Sequence, residues 1–410
     1  MKNLLFLLVL ILVHPVFSQN CSAIPTGLIP INDLGTGTFN GWMGGLYPNG
    51  SNFMPTEHKI NGLALSQQVK CLDKNGVEDS NGKIVWLSIG MSNCTQETQK
   101  FIPLANNFPE KNPQLVLVDG AQGSQTANII STPSISGYAN FWTTVNTRLS
   151  NAGVTNKQVQ VIWLKEANPV DATPVQTYYD SLVVQFKRIA NELTTRFPNV
   201  KLCYVSSRIS ARYATSTLNP EPHSYRTGWA IKKLIEDQIN GDQQLNYLGN
   251  SAKAPWLSWG IYMWSDGDHP QSANSKIFWK CPEDFNTDGT HPSNIGAQKV
   301  ASLLLDFFKS DSTATPWFLG KGCAINTLIN NKAKFSKELS FSPNPTDGKL
   351  IIRNLLPDID FSVKLNTLMG KRVFSNSNTD IIDLSNYPQG VYLLTVWQNS
   401  KCHTSKIIKL

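Results

Sequence analysis

The sequence predicts a doubly wound, flavodoxin-like α/β domain with a parallel sheet, followed by a small all-β sandwich. Four short apolar runs carry the first part of that prediction: "IVWLSI" (84–89), "QLVLVD" (114–119), "QVQVIWL" (158–164) and "VKLCYVSS" (200–207). Each is continuous rather than alternating, as a strand covered by helices on both faces must be. Helical patterns lie between and after these runs, which implies right-handed crossovers onto one sheet. From about residue 336 the helical signal stops, and short alternating runs with turn signals at Pro345-Thr346-Asp347-Gly348 and Pro388-Gln389-Gly390 take over.

Taken in order, the chain begins with Met1-Lys2-Asn3, an apolar stretch from Leu4 to Val13, and Val16-Phe17-Ser18 before Gln19. That is the pattern of a secretory signal peptide over residues 1–18. The strand at 84–89 runs into Gly90-Met91-Ser92-Asn93. There a serine or asparagine either caps the following helix or presents a nucleophile at the mouth of the sheet. The second strand delivers "DGAQGSQT" (119–126) and the third "KEANP" (165–169). Val175 to Phe197 reads as an amphipathic helix, with Tyr179, Leu182, Val183, Phe186, Ile189, Ala190 and Leu193 on one stripe. Residues 208–280 are less regular, with a helix at "AIKKLIEDQI" and a run packing Trp256, Trp259, Tyr262 and Trp264 among Gly, Pro and Asp. "DGTHPS" (288–293) precedes a last helix, which Ser293 or Asn294 caps and whose stripe runs from Ala297 to Phe308. "KSDSTATP" (309–316) reads as a polar linker. The expected organisation is therefore a catalytic-type domain over 19–320, a linker over 321–335 and a β-sandwich over 336–410.

Composition narrows the function. With 410 residues, 16% charged and 11 Trp, the chain has ample core and the character of a globular protein. The net charge of +7 is spread among acids without a basic stripe, which argues against a nucleic-acid partner. No segment after the signal peptide reaches 18 apolar residues, so no transmembrane segment is expected. The seven cysteines suit an oxidising destination, their odd number leaves at least one unpaired, and Cys203 in its apolar run reads as a buried thiol. Their spacing matches no zinc site; neither a metal nor another cofactor is expected.

Ligands of a doubly wound sheet meet the carboxyl ends of its strands. Ser92, the glycine-bearing turn at Gly120 and Gly123, Asn168, and the Asp288–His291 pair all fall on that rim. Together they are what acyl transfer requires: a hydroxyl, an imidazole to take its proton, a carboxylate to orient the imidazole, and amide donors for the oxyanion. Each alone reads more simply, as a cap, a tight turn or a turn residue. Their shared rim is what turns the reading toward catalysis.

At these residues the sequence resembles a known family. "IGMSN", "VIWLKEAN" and "DGTHPSNIGAQKVA" are similar to the blocks of the SGNH/GDSL hydrolases, nearest the branch of sialate O-acetylesterases and acetylxylan esterases, over roughly residues 80–310. The resemblance implies Ser92 as nucleophile, His291 as base, Asp288 as its orienter, and an oxyanion hole of the Ser92 amide, Gly123 and Asn168. The third block departs, with Lys165-Glu166 where relatives carry Gln-Gly-Glu. Glu166 then reads as a second carboxylate near the histidine or as part of an ion pair. The tail, from "FSPNPTDGKLIIRN" through "YPQGVYLLTV" to "KIIKL", resembles the type A sorting domain of the type IX secretion system. It implies that machinery as a partner and a secreted or cell-surface destination.

The resulting expectation is a secreted serine esterase acting on acetylated carbohydrate. Arg208, Arg212, Trp259 and Trp264 are candidate substrate contacts; buried core or plain solvation is the competing reading for them. A lipid or thioester acyl hydrolase, and a non-catalytic glycan-binding protein on a decayed hydrolase fold, are the rivals.

Overall fold

The computed structural model describes residues 20–169, 174–320, 322, 339–355, 361–367, 372–398 and 401–410. The expected signal peptide lies outside them, as does the expected 321–335 linker save for Gly322. Two compact units emerge, Met1–Ile325 and Asn326–Leu410, each taken by itself below.

The first unit is built on a five-stranded sheet: β1 (Ile84–Gly90), β2 (Leu115–Asp119), β3 (Val159–Lys165), β4 (Leu202–Val205) and β5 (Trp256–Trp259). The spatial order is β2-β1-β3-β4-β5 and every pairing is parallel. All seven residues of β1 and of β3 are buried, which is why these runs are apolar without alternation. Alternate residues still separate the two faces. Val85, Leu87 and Ile89 face one cluster with α2 (Tyr138–Asn151), α3 (Val175–Arg196) and α4 (His223–Ile239). Ile84 and Trp86 face the other, with α1 (Ser92–Asn106) and α5 (Asn294–Phe308). Trp86 and Trp163 stack there at 6.1 Å. Burial of large side chains of this kind contributes about 1.5–3 kcal/mol each.

The strand β5 is a correction to the sequence reading, which left 208–280 irregular. Its four residues include Ser258 and stand between Pro255 and Gly260, too short for a periodicity signal, yet all four are buried at the sheet edge. The polar stretch 309–316 is also no linker. It forms a turn and the short helix Thr315–Phe318, which carries Trp317 and Phe318 into the core. A disulfide joins Cys21 to Cys281, Cys71 is disulfide-bonded as well, and Cys94 and Cys203 are free and buried.

The second unit has two antiparallel sheets. One orders Ile381–Asp383, Lys349–Arg353 and Ser340–Ser342; the other Arg372–Ser377, Phe361–Thr367, Gly390–Gln398 and Lys401–Lys409. Leu350, Ile352, Val363, Leu365, Leu394 and Val396 form its core, each from a strand whose partners alternate outward.

The order β2-β1-β3 makes the gap between β1 and β3 the switch point, where connections leave in opposite directions and a crevice opens. Gly90 sits on that gap with φ +158°, and a Cβ there would lie 2.1 Å from the Lys165 carbonyl oxygen and 2.8 Å from Cys94 Cβ. Gly90→Ala is therefore expected to cost about 2–4 kcal/mol. Chemical denaturation checks it, and an unchanged midpoint would contradict the close approach.

Candidate active site

Ser92 is the first residue of α1, and its side chain makes no capping bond to the helix. Its Oγ lies 2.7 Å from His291 Nε2 instead, across 199 positions of sequence. Of the two roles the sequence left open at this corner, the hydroxyl is turned toward the imidazole. Asn93 does not cap either: its Nδ2 donates to the Thr290 carbonyl at 3.2 Å.

His291 stands on the turn before α5, and Asp288 shapes that turn. Asp288 Oδ1 accepts the amides of Thr290 and His291, both at 2.9 Å, while Oδ2 lies 2.5 Å from His291 Nδ1. An aspartate bonding amides two and three residues on is a local device, and it brings its second oxygen under its own histidine. Gly289, at φ +65°, is required there, since a Cβ would fall 1.8 Å from the Tyr213 carbonyl oxygen. Burial pushes the Asp288 carboxyl up. The bond from the ring, the two amides and the imidazole charge outweigh that and hold it at about 2. An ionised Asp288 keeps the proton on Nδ1, so Nε2 is left to accept the Ser92 hydroxyl proton. Such a line can generate an alkoxide as it attacks an acyl carbon.

Beneath the two turns lies a buried charged layer. Lys165 Nζ donates to both oxygens of Glu97, at 2.6 and 2.7 Å, with both side chains fully buried. Burial raises the Glu97 carboxyl and lowers the Lys165 ammonium, and the mutual attraction of the pair opposes both. Glu166 is not beside the histidine as a second base. It is buried, its Oε2 accepts the Ala167 amide, and desolvation lifts its carboxyl well above the usual range. Lys165, the departure from the family pattern, thus has a partner that no local signal could reveal, 68 positions away on α1.

The expected oxyanion donors take up these positions. Asn168 is tied into the scaffold: its Nδ2 donates to Gln185 Oε1 at 2.6 Å, which uses one of its two amide hydrogens, and its Oδ1 accepts the Asn128 amide at 3.0 Å. Its side chain instead ties the end of β3 to α3. Between the two glycines, the Gly120 amide is engaged by the Ser88 carbonyl at 3.1 Å. Gly123 follows Gln122, whose amide donates to the Gly90 carbonyl at 2.9 Å, which brings that exposed turn against the nucleophile turn.

The four candidate substrate contacts are engaged within the protein. Trp259 and Trp264 are buried, with indole N–H groups donating to the Leu46 carbonyl and to Glu221 Oε1. Burial drives the Glu221 carboxyl up to about 7 against the Trp264 indole and the Ala211 and Tyr225 amides that donate to it. Arg212 donates to the carbonyls of Ala23 and Asp266 and pairs with Asp268. Arg208 is only 2% exposed and donates to the Thr290 carbonyl. Aromatic and basic residues on a rim segment are equally good at filling a core that needs large, donor-bearing side chains.

A polar surface between these turns comes mostly from residues the sequence reading did not single out. A cavity of about 410 Å³ opens between α1 and the His291 turn, lined by Gln96, Gln99, Lys100, Asn286, Ser293 and Asn294. Gln96 is one helical turn beyond Ser92, and that i, i+4 spacing was the available signal. Among the described residues no cluster of His, Cys, Asp and Glu is arranged to hold a metal ion.

Residues 340–410 match the family of secretion system C-terminal sorting domains. The chain accordingly ends in a type IX sorting tail and is exported, to the cell surface or beyond it. No helix among the described residues is long and apolar enough to cross a membrane. No curated protein matches the chain. Similar solved structures include a putative platelet activating factor from Streptococcus pneumonia, at 11% identity over 61% of this chain and 92% of that one, TM-score 0.32. Another is the periplasmic domain of a Salmonella ser. Paratyphi A lipopolysaccharide acetyltransferase, at 12% identity over 61% and 94%, TM-score 0.29. Likeness at this level says nothing about activity.

The depressed Asp288 carboxyl has a definite pH consequence. Its ionised form adds stability above the ordinary value of 3.8, and that contribution disappears as pH falls through about 2. His291→Ala removes the ring donor, so the Asp288 carboxyl is expected to climb back toward 3.8 in a ¹³C NMR titration. An unmoved titration would mean that the ring bond is not what depresses it.

Proposed function

We propose that the protein is an exported serine esterase of the SGNH type that removes acetyl groups from carbohydrate. The observation that carries this reading is the unbroken line from Ser92 Oγ to His291 Nε2 at 2.7 Å and from His291 Nδ1 to Asp288 Oδ2 at 2.5 Å. Ser92 Oγ attacks the ester carbonyl as its proton passes to His291 Nε2. The imidazolium is stabilised by Asp288 and returns the proton to the departing sugar oxygen. Water, deprotonated by the same histidine, then attacks the acetyl-serine and releases acetate.

The oxyanion of each tetrahedral intermediate calls for fixed donors. The first amides of α1 have no carbonyl one turn back within the helix, and the positive end of the helix dipole is there as well. The Ser92 amide is the first donor and the Gly123 amide the second; Asn168 has no part in this scheme.

A carbohydrate leaving group is favoured over a lipid by the largely polar lining of the cavity that starts at Pro292, the residue after His291, with Ala297 as its other apolar member. Side-chain amides, a hydroxyl and one ammonium suit a hydroxyl-rich ring, and about 410 Å³ suits a sugar unit. Export through the sorting tail agrees with a polymeric substrate outside the cell.

Acetate release from a panel of acetylated polysaccharides tests the reading, together with nitrophenyl esters of increasing chain length. Wild type should release acetate, prefer the shortest esters, and be labelled by a phosphonate at Ser92. Ser92→Ala and His291→Ala should each lower kcat by about 10³-fold or more with folding retained. Unchanged hydrolysis in Ser92→Ala would end the proposal. Full activity on long acyl chains would move it to a lipid or thioester hydrolase, and absence of both turnover and labelling in wild type to a glycan-binding protein.

A further inference from the structure

We propose that Arg208 is a positioning residue that locks the turn carrying His291 onto the turn carrying Ser92. This rests on the reading of Ser92 and His291 as the reacting pair. Arg208 follows β4, a third element, and reaches the residue immediately before each of the two. Its Nη2 donates to the Thr290 carbonyl at 3.2 Å, and its Nη1 lies 3.8 Å from Met91 Sδ.

Thr290 O belongs to the peptide unit whose nitrogen is that of His291, so fixing the carbonyl fixes the histidine backbone. Asn93 Nδ2 donates to the same oxygen at 3.2 Å, from the residue just after the nucleophile. One carbonyl on the histidine turn therefore accepts from β4's continuation and from the nucleophile helix together. The His291 amide on the other side of that peptide is held by Asp288 Oδ1. The peptide plane is pinned at both ends, and the imidazole it carries has little room to drift from Ser92.

Arginine suits this role for a physical reason. Its planar fork presents separate N–H groups at fixed angles, so one side chain joins two elements at a set separation, which a lysine point charge does not do. A buried cation is costly, and here the carboxylates of Glu97, Glu221 and Asp288 lie close enough to act on its charge. A cation kept only to balance those carboxylates would be replaceable by lysine. A cation kept for geometry would not, because displacing a reacting group by about 1 Å costs up to ~10²-fold in rate.

The test compares wild type with Arg208→Lys and Asn93→Ala as full chains, using kcat and KM on a short nitrophenyl ester, the rate of phosphonate labelling, and thermal unfolding. Arg208→Lys should stay folded, lose about 10- to 100-fold in kcat and in labelling rate, and keep KM within about twofold. Its His291 Nδ1–H resonance should broaden. Folded Arg208→Lys with wild-type labelling would overturn the proposal. If that variant does not fold, Asn93→Ala decides: a lower kcat at constant KM supports the clamp, and a wild-type kcat overturns it. A wild type that neither turns over nor labels defeats the esterase reading itself, and this inference with it.

Discussion

One hydrogen bond organises the rim of the parallel sheet, that from Ser92 Oγ to His291 Nε2 at 2.7 Å. Two turns from opposite ends of the domain must arrive within bonding reach for it to exist. Each turn is held by its own geometry. Gly90 lets β1 pass close under the Lys165 carbonyl, and Asp288 folds the histidine turn around two amides before offering its second oxygen to the ring. The parallel order β2-β1-β3 then places Ser92 where the sheet opens, and α5 begins near it because Ser293 Oγ caps the Ile295 and Gly296 amides.

The support for these turns is polar and buried, which is an expensive way to build a core. The Lys165–Glu97 pair, Arg208 and Glu166 all lie out of solvent behind the rim. An apolar filling would cost less desolvation, but it could not donate to the carbonyls that a strand end and a tight turn leave exposed. Directionality is what the cluster supplies. Hydrophobic contacts fix how close two elements come, whereas donors aimed at a single carbonyl fix where a peptide plane lies.

The two units answer to separate requirements. The first unit is an α/β frame with a crevice at its switch point. Export calls for a recognisable tail, and that tail is a self-contained pair of antiparallel sheets with its own core from Leu350 to Ile407.

Legibility in the sequence followed range. Continuous apolar runs disclosed β1 to β4, three- and four-residue recurrences disclosed α3 and α5, and alternating runs disclosed the tail, because each pattern is written within a dozen neighbouring residues. Asp288 and His291 were readable for the same reason, three positions apart in one turn. Tertiary structure alone decided what distant side chains do. Asn168 met Gln185 and Asn128, Lys165 met Glu97, Trp259 and Trp264 went inward, and Arg208 turned under Thr290 rather than toward solvent. An amide, an indole or a guanidinium has the same local signature whether it faces a ligand or satisfies a buried carbonyl. Which of the two it does depends on partners brought near only by the sheet order, and no local pattern encodes them.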